Sequence, residues 1–409
     1  MLKHVIASGA AALLLLAGPP AQAGQPRSAN YRFTTVLDSL RDGLEPTRCA
    51  AVDARGTVAV QVHDPALDIN KLVTKRGARD APVVVAHTER VADYPTSCDN
   101  GITQITSNPS INARGEVAFQ VNLRRVTATE RLECQTPEQQ DTPRQGVFLG
   151  KGGPLTTIAH TNNPPGGEFI SEFVVADGSV NSRGEVALAI ELDNSGFDQG
   201  LFTGSKRGTF DERFRNSTSE FDAPSSAMSI NEIGQIAFQD NGIVLSDPDG
   251  TITRIVDSNA GDFVVFDPSL NIFGRVAFTG SFFVGDTQVH GIFTSRGGLL
   301  TTVADSTGPY SSFAEPSLND LARVVFTADL DELGPNGFPI QGVFTGPDPV
   351  TDKVLQAGDR YAGVPVSSVF TCTEALNNRG QIVMTVQSEN PDTFEVRTFI
   401  VKATPRRRP

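Results

Sequence analysis

The chain has 409 residues with 47 acidic and 34 basic side chains, a formal charge of −13, and no tryptophan. Such a surface disfavours nucleic acid and anionic lipid as general partners. A length near 400 usually means two or three domains, an expectation that internal repeats replace with one.

Residues 1–23 carry the three parts of a secretory signal peptide: basic Lys3, an apolar run from Val5 to Gly18, and small residues Ala21 and Ala23 before Gly24. Cleavage near Ala23 is expected, leaving a secreted or periplasmic chain. The run is shorter than the roughly 20 residues that span a bilayer, Pro19 and Pro20 break it, and no later stretch is continuously apolar, so the mature chain should have no membrane span. The C-terminal Arg406, Arg407 and Arg408 form a basic cluster that reads as a frayed terminus.

After the leader, Arg32–Ser39 (RFTTVLDS) is an isolated strand whose significance appears only at the other end of the chain. Seven copies of one motif follow: AVDARGTVAVQV, SINARGEVAFQV, SVNSRGEVALAI, SINEIGQIAFQD, SLNIFGRVAFTG, SLNDLARVVFTA and ALNNRGQIVMTV. Their anchors are Asp53, Asn112, Asn181, Asn231, Asn271, Asn319 and Asn377. Asn opening a type I turn accepts hydrogen bonds from the backbone beyond it, and Gly at the fourth position tolerates positive φ, so each copy predicts a tight hairpin. Asp53 keeps the acceptor. Ala322 stands where the others have Gly, at about 1 kcal/mol if φ is positive there.

A third strand of the form Gly-[VIL]-[FV] follows most copies (GVFLG, GLFTG, GIVLS, GIFTS, GVFTG). A fourth follows a short turn, as in PVVVAH, LTTIAH, ITRIVD and LTTVAD. Four antiparallel strands, here a to d, in units of 40 residues or more repeated seven times predict a seven-bladed β-propeller over 24–409. No segment keeps a helical period. The last copy has strands a, b and c (Arg397–Ala403) but no d, and residues 32–39, close in sequence to LTTVADS, supply it, closing blade 7 from both ends of the chain.

In this order the a–b and c–d turns share one face and are short. The long connections Asn122–Gln145, Gly280–His290, Asp329–Gln341, Gln387–Glu395, Thr88–Asn108 and Arg360–Thr371 share the other, where a site is expected. Four cysteines in an exported chain are compatible with two disulfides, for which Cys98–Cys134 and Cys49–Cys372 are plausible among three connectivities. No Cys-x-x-Cys spacing suggests zinc.

The ends of strand d place Asp38, His87, His160, Asp257, Asp305 and Asp359 at equivalent positions. They are weak candidates for ligand binding beside their simpler role in Asx-type turns. Asp329, Asp331 and Glu332 gather in DLDELGPNG but lack the spacing of a calcium loop. No Gly-x-Ser-x-Gly nucleophile motif and no cofactor motif is present.

The Asn-x-x-Gly-x-Val-Ala-Phe hairpin with its Gly-Val-Phe-x-Gly and Leu-Thr-Thr-Val-Ala strands resembles a family of exported bacterial tandem-repeat propellers of uncharacterised function. It is distantly similar to extracellular HAF-repeat proteins. The resemblance implies a fold and no catalytic residues. A binding or scaffold module for an extracellular glycan, protein or small molecule is therefore expected. The alternative is a carbohydrate-active hydrolase or lyase with carboxylates at the channel mouth.

Overall fold

The structure, a computed structural model, describes residues 30–88, 101–123, 145–161, 172–173, 180–192, 199–216, 221, 228–258, 264–334, 337–390 and 392–406. It is a seven-bladed β-propeller built from antiparallel sheets. Blade 1 contains strands Glu45–Val52, Val58–Asp64, Ile69–Lys75 and Val83–His87 in the spatial order a-b-c-d. Blade 5 (Val264–Leu270, Val276–Val284, Thr287–Arg296, Leu299–Asp305) follows the same plan. In blades 2 and 6 strand a is split into two pieces that both pair with strand b.

The terminal closure expected from the sequence is present. Tyr31–Asp38 pairs antiparallel with Val396–Pro405, from Tyr31 opposite Pro405 to Asp38 opposite Phe399. The Arg406 amide extends the pairing by donating to the Asn30 carbonyl at 2.7 Å. Because no strand of blade 7 is left unpaired at the seam, the ring has no free edge there.

Every a–b hairpin takes the anticipated form. In blade 5 the Gly274 N–H donates to Asn271 O (3.2 Å), Gly274 is left-handed (φ 70°), and Asn271 Oδ1 accepts from Phe273 N and Arg275 N, both at 3.0 Å. Ala322 does adopt the left-handed backbone, with φ 58°. The following Val-Ala-Phe is fully buried: Val276, Ala277 and Phe278 are 0% exposed. Apolar clusters run between neighbouring blades, one joining Leu188 and Phe202 of blade 3 to Val147 and Ile158 of blade 2.

The third-strand Gly has a packing reason. A Cβ on Gly146, Gly200, Gly291 or Gly342 would lie within 3.0 Å of the Phe ring two residues later. Blade 1, which has Lys71 at that position, has Val73 in place of the Phe. Its third strand therefore lacks the Gly-Phe signature and was not legible as a motif.

The fourth strand expected of every blade is present in blade 3 too, as Phe210–Arg215, although no copy of the fourth-strand motif marks it. Two expectations need correction. A single helical turn, Ser39–Asp42, follows the closing strand and ends at left-handed Gly43 (φ 63°). The supposed long loops Gly280–His290 and Asp329–Gln341 are mostly strand: Val284 pairs with Thr287 around Gly285-Asp286, and Leu333 pairs with Pro339. These are tall hairpins projecting from the b–c side. The expected leader, Cys98 and Cys134 lie outside the described residues.

Candidate functional site

The seven innermost strands surround an axial cavity of about 210 Å3 at the a–b turn end. Its wall is a circuit of anchor residues, in which each Asn side chain donates from Nδ2 to the carbonyl of the next anchor. The bonds run from Asn112 to Asn181 (3.0 Å), Asn181 to Asn231 (3.2 Å), Asn231 to Asn271 (3.0 Å), Asn271 to Asn319 (3.2 Å), Asn319 to Asn377 (3.0 Å) and Asn377 to Asp53 (2.8 Å). Asp53 has no N–H to hand on, so the circuit opens between blades 1 and 2. Each Asn thus closes its own turn with Oδ1 and docks the next blade with Nδ2.

A second circuit lies one layer deeper. The Ser two residues before an anchor accepts the N–H that precedes the next anchor: Ser110 from Val180 (3.0 Å), Ser229 from Leu270 (3.0 Å), Ser269 from Leu318 (2.9 Å) and Ser317 from Leu376 (3.0 Å). Blades 7 and 1 carry Ala375 and Ala51 instead. Glu374 fills both gaps. Its carbonyl accepts from Val52 N (3.0 Å), and its carboxylate accepts from Ile111 N (3.1 Å) and the Ser110 hydroxyl (2.5 Å).

Glu374 can reach blade 2 because Cys372–Ala375 forms a turn, closed by Ala375 N donating to Cys372 O (3.1 Å), that enters the channel. The Ser269 hydroxyl meets the Thr373 carbonyl from the opposite side at 3.5 Å. The Cys49–Cys372 disulfide (Cα–Cα 6.0 Å) ties this plug to blade 1. Thr373 and Glu374 consequently form the floor of the axial cavity.

At the mouth, the residue after each anchor sets a third pattern. Glu232 accepts from Ser182 N (2.9 Å), Asp320 from Ile272 N (2.9 Å) and Asn378 Oδ1 from Asp320 N (2.8 Å). Ala54 and Ala113 offer no acceptor, and the Ser182 hydroxyl is committed to Glu232 (2.8 Å). Ile272 likewise offers no acceptor to Glu232, so among the described residues the amides of Glu232, Asn378, Ala54 and Ala113 are uncapped, the last three on successive blades.

Five of the six strand-d candidates sit on the outermost strands of their blades and Asp359 in the turn after the sixth, and the fold does not bring them together. Asp38 is held by Arg397 (3.0 and 2.7 Å); burial alone would raise its pKa, but the Arg397 hydrogen bonds and charge keep it below the usual carboxylate range. Asp305 accepts from Thr307 N (3.0 Å), as an Asx turn does. Asp359 pairs with Lys353 (3.1 Å), and His87 Nδ1 lies 3.0 Å from Thr88 O. His160 and Asp257 end the fourth strands of blades 2 and 4. In the DLDELGPNG hairpin, Asp329 accepts from the Ser312 hydroxyl (2.7 Å), while Asp331 and Glu332 continue the same strand. Among the described residues no three His, Cys, Asp or Glu side chains converge as a metal site would require. Glu374 escaped the sequence reading. Its signal was the loss of Ser from two adjacent copies, which required an acceptor from elsewhere.

The sequence model of a family of unknown function (DUF7453) matches residues 66–241 and 131–399. No curated protein matches the chain. Similar solved structures include one from a study of two prolyl endopeptidases (10% identity, 90% of this chain and 51% of that one, TM-score 0.48). Others are the polysaccharide lyase Uly1 (12%, 89% and 89%, 0.45) and an oligogalacturonate lyase from Vibrio parahaemolyticus (10%, 91% and 97%, 0.35). The chain spans about half the length of the first, and at these identities the likeness is one of fold alone.

Proposed function

We propose that this chain, which belongs to the family of unknown function DUF7453, is an exported binding or scaffold propeller. It would present the b–c side to a glycan, protein or small molecule in the periplasm or outside the cell. The observation that carries this reading is the apolar character of that side on three successive blades. Phe283 and Val284 in blade 5, Leu333 and Phe338 in blade 6, and Phe394 and Val396 in blade 7 are all more than half exposed. Leu40 and Val396 also border a hollow of about 600 Å3 with Val364 and Pro365. Large apolar groups held at hairpin tips carry a hydration cost that contact with a partner removes.

The commitment of Glu374 to structural hydrogen bonds supports binding over acid–base catalysis at the axis, since a general acid or base needs a free oxygen facing substrate. The test is a glycan array and a polysaccharide-degradation assay on the mature chain, repeated with Phe283→Ser, Phe338→Ser and Phe394→Ser. Binding that is lost in these variants without change in melting temperature is the expected result. Polysaccharide turnover that disappears in Glu374→Gln would replace this reading with the hydrolase or lyase alternative.

A further inference from the structure

We infer that the opposite, a–b face carries a second binding site, for an acidic polysaccharide, running from a groove between blades 2 and 3 to the axial mouth. The second residue after the anchor is Arg on four successive blades (Arg379, Arg55, Arg114, Arg183) and apolar on the other three (Ile233, Phe273, Leu321). All seven are exposed. In a chain of charge −13 this concentrates positive charge on one half of one face. With a Debye length of about 8 Å at physiological ionic strength, that local arc, and not the net charge, sets the potential an arriving group meets.

The arc contains a built concavity. A groove of about 200 Å3 is lined by Arg114, Arg183, Lys206 and Arg207, together with Glu185, Ser205 and Thr209. Arg183 is paired with Glu185 (2.6 Å) and Lys206 with Glu116 (2.7 Å). The guanidinium groups of Arg114 and Arg207 have no ion pair among the described residues and are free to take an oxyanion. The separate axial cavity is lined by Ala113, Ala54 and Asn378, whose uncapped amides immediately precede Arg114, Arg55 and Arg379 in the chain. On the rest of the ring, Glu232, Asp320 and Asn378 cap the amides of Ser182, Ile272 and Asp320, while the Glu232 amide, opposite Ile272, is also uncapped. Three of the four uncapped amides thus stand beside an arginine of the arc.

The groove sets guanidinium donors beside the Ser205 and Thr209 hydroxyls, which suits a chain that carries both carboxylates and hydroxyls. An anionic bilayer fits less well: the same face carries Asp247, Asp249, Asp348 and Asp352 in the c–d turns of blades 4 and 6, and a flat negative surface would meet them. A narrow chain can follow the basic half alone.

The test measures binding of polygalacturonate to the mature chain, with dextran, phosphatidylglycerol vesicles and double-stranded DNA as comparators. Arg114→Gln and Arg207→Gln should each weaken polygalacturonate binding about tenfold, and added salt should weaken it further. Ala54→Pro and Ala113→Pro remove an uncapped amide at a turn position where Pro is favoured, and each should cost about threefold to tenfold with the melting temperature held. The proposal does not depend on the b–c side: the Phe variants above should leave polygalacturonate binding unchanged. It is overturned if the Arg114→Gln/Arg207→Gln double variant binds as the parent does, if polygalacturonate binds no better than dextran, or if vesicles or DNA bind as tightly.

Discussion

Glu374→Ala should destabilise the propeller by about 2–4 kcal/mol, and Ala51→Ser should rescue part of that loss. Removing the carboxylate strands the Ser110 hydroxyl and the Ile111 N–H, on residues that are 0% and 7% exposed. A buried donor left unsatisfied costs about 1–3 kcal/mol, and the sum is reduced because Glu374 is no longer desolvated. In four other blades a Ser hydroxyl accepts the N–H equivalent to that of Ile111 at 2.9–3.0 Å. Ala51 pairs with Ala59 as Ser110 pairs with Ala118, so Ser at 51 would occupy the same register. In the Ala51→Ser background the cost of Glu374→Ala should fall to about 1–2 kcal/mol, a coupling of about 1 kcal/mol or more. Urea unfolding of the four proteins of this cycle, followed by far-ultraviolet circular dichroism because tryptophan is absent, measures it. Equal costs in the two backgrounds, or a single-variant cost below about 0.5 kcal/mol, would refute the idea that Glu374 substitutes for the missing serines.

Asn271→Ala should cost roughly 2–4 kcal/mol in urea unfolding through its three lost hydrogen bonds, and should leave binding on either face intact. Ala322→Gly should raise stability by up to about 1 kcal/mol by relieving a left-handed alanine, the net gain being limited by the greater freedom of glycine in the unfolded chain. Opening the Cys49–Cys372 bridge with paired serines should cost about 2–4 kcal/mol, read as a lowered urea midpoint. Asp38 is held below its ordinary pKa, so its pairing with Arg397 contributes fully above the unfolded value near 4 and is lost as pH falls through the folded value. Arg397→Gln should therefore shrink the drop in stability measured between about pH 5 and pH 2.

The blade count and the terminal closure were legible because hairpin chemistry is local: Asn and Gly fix a turn whatever surrounds it, and seven such turns leave few architectures. The third strand of blade 1 was hidden because Lys71 and Val73 replace the Gly and Phe whose mutual packing makes the motif. The tall hairpins of blades 5 and 6 read as loops because their outer ends, such as Phe283-Val284 and Asp331-Glu332-Leu333, are exposed and lack alternation. Glu374 resembles any surface glutamate in sequence. Only the ring, which sets blade 7 two places from blade 2, gives it Ser110 and Ile111 as partners. The basic arc was present in the seven copies all along, but its meaning depended on knowing that consecutive copies stand side by side around one opening.

The opening of the Asn circuit at Asp53 bears on how such rings diverge. The substitutions Asp for Asn and Ala for Ser, together with Cys49, Cys372 and Glu374, all fall in the first and last copies. These are the blades that the chain ends join, while the interior copies keep both hydrogen-bonding side chains. A duplicated or deleted interior copy would thus find matching donors and acceptors on either side and could be accommodated as an interchangeable part. The first and last copies, with the second that Glu374 also reaches, carry the fitted join, so the number of the remaining blades could change while the join stays fixed.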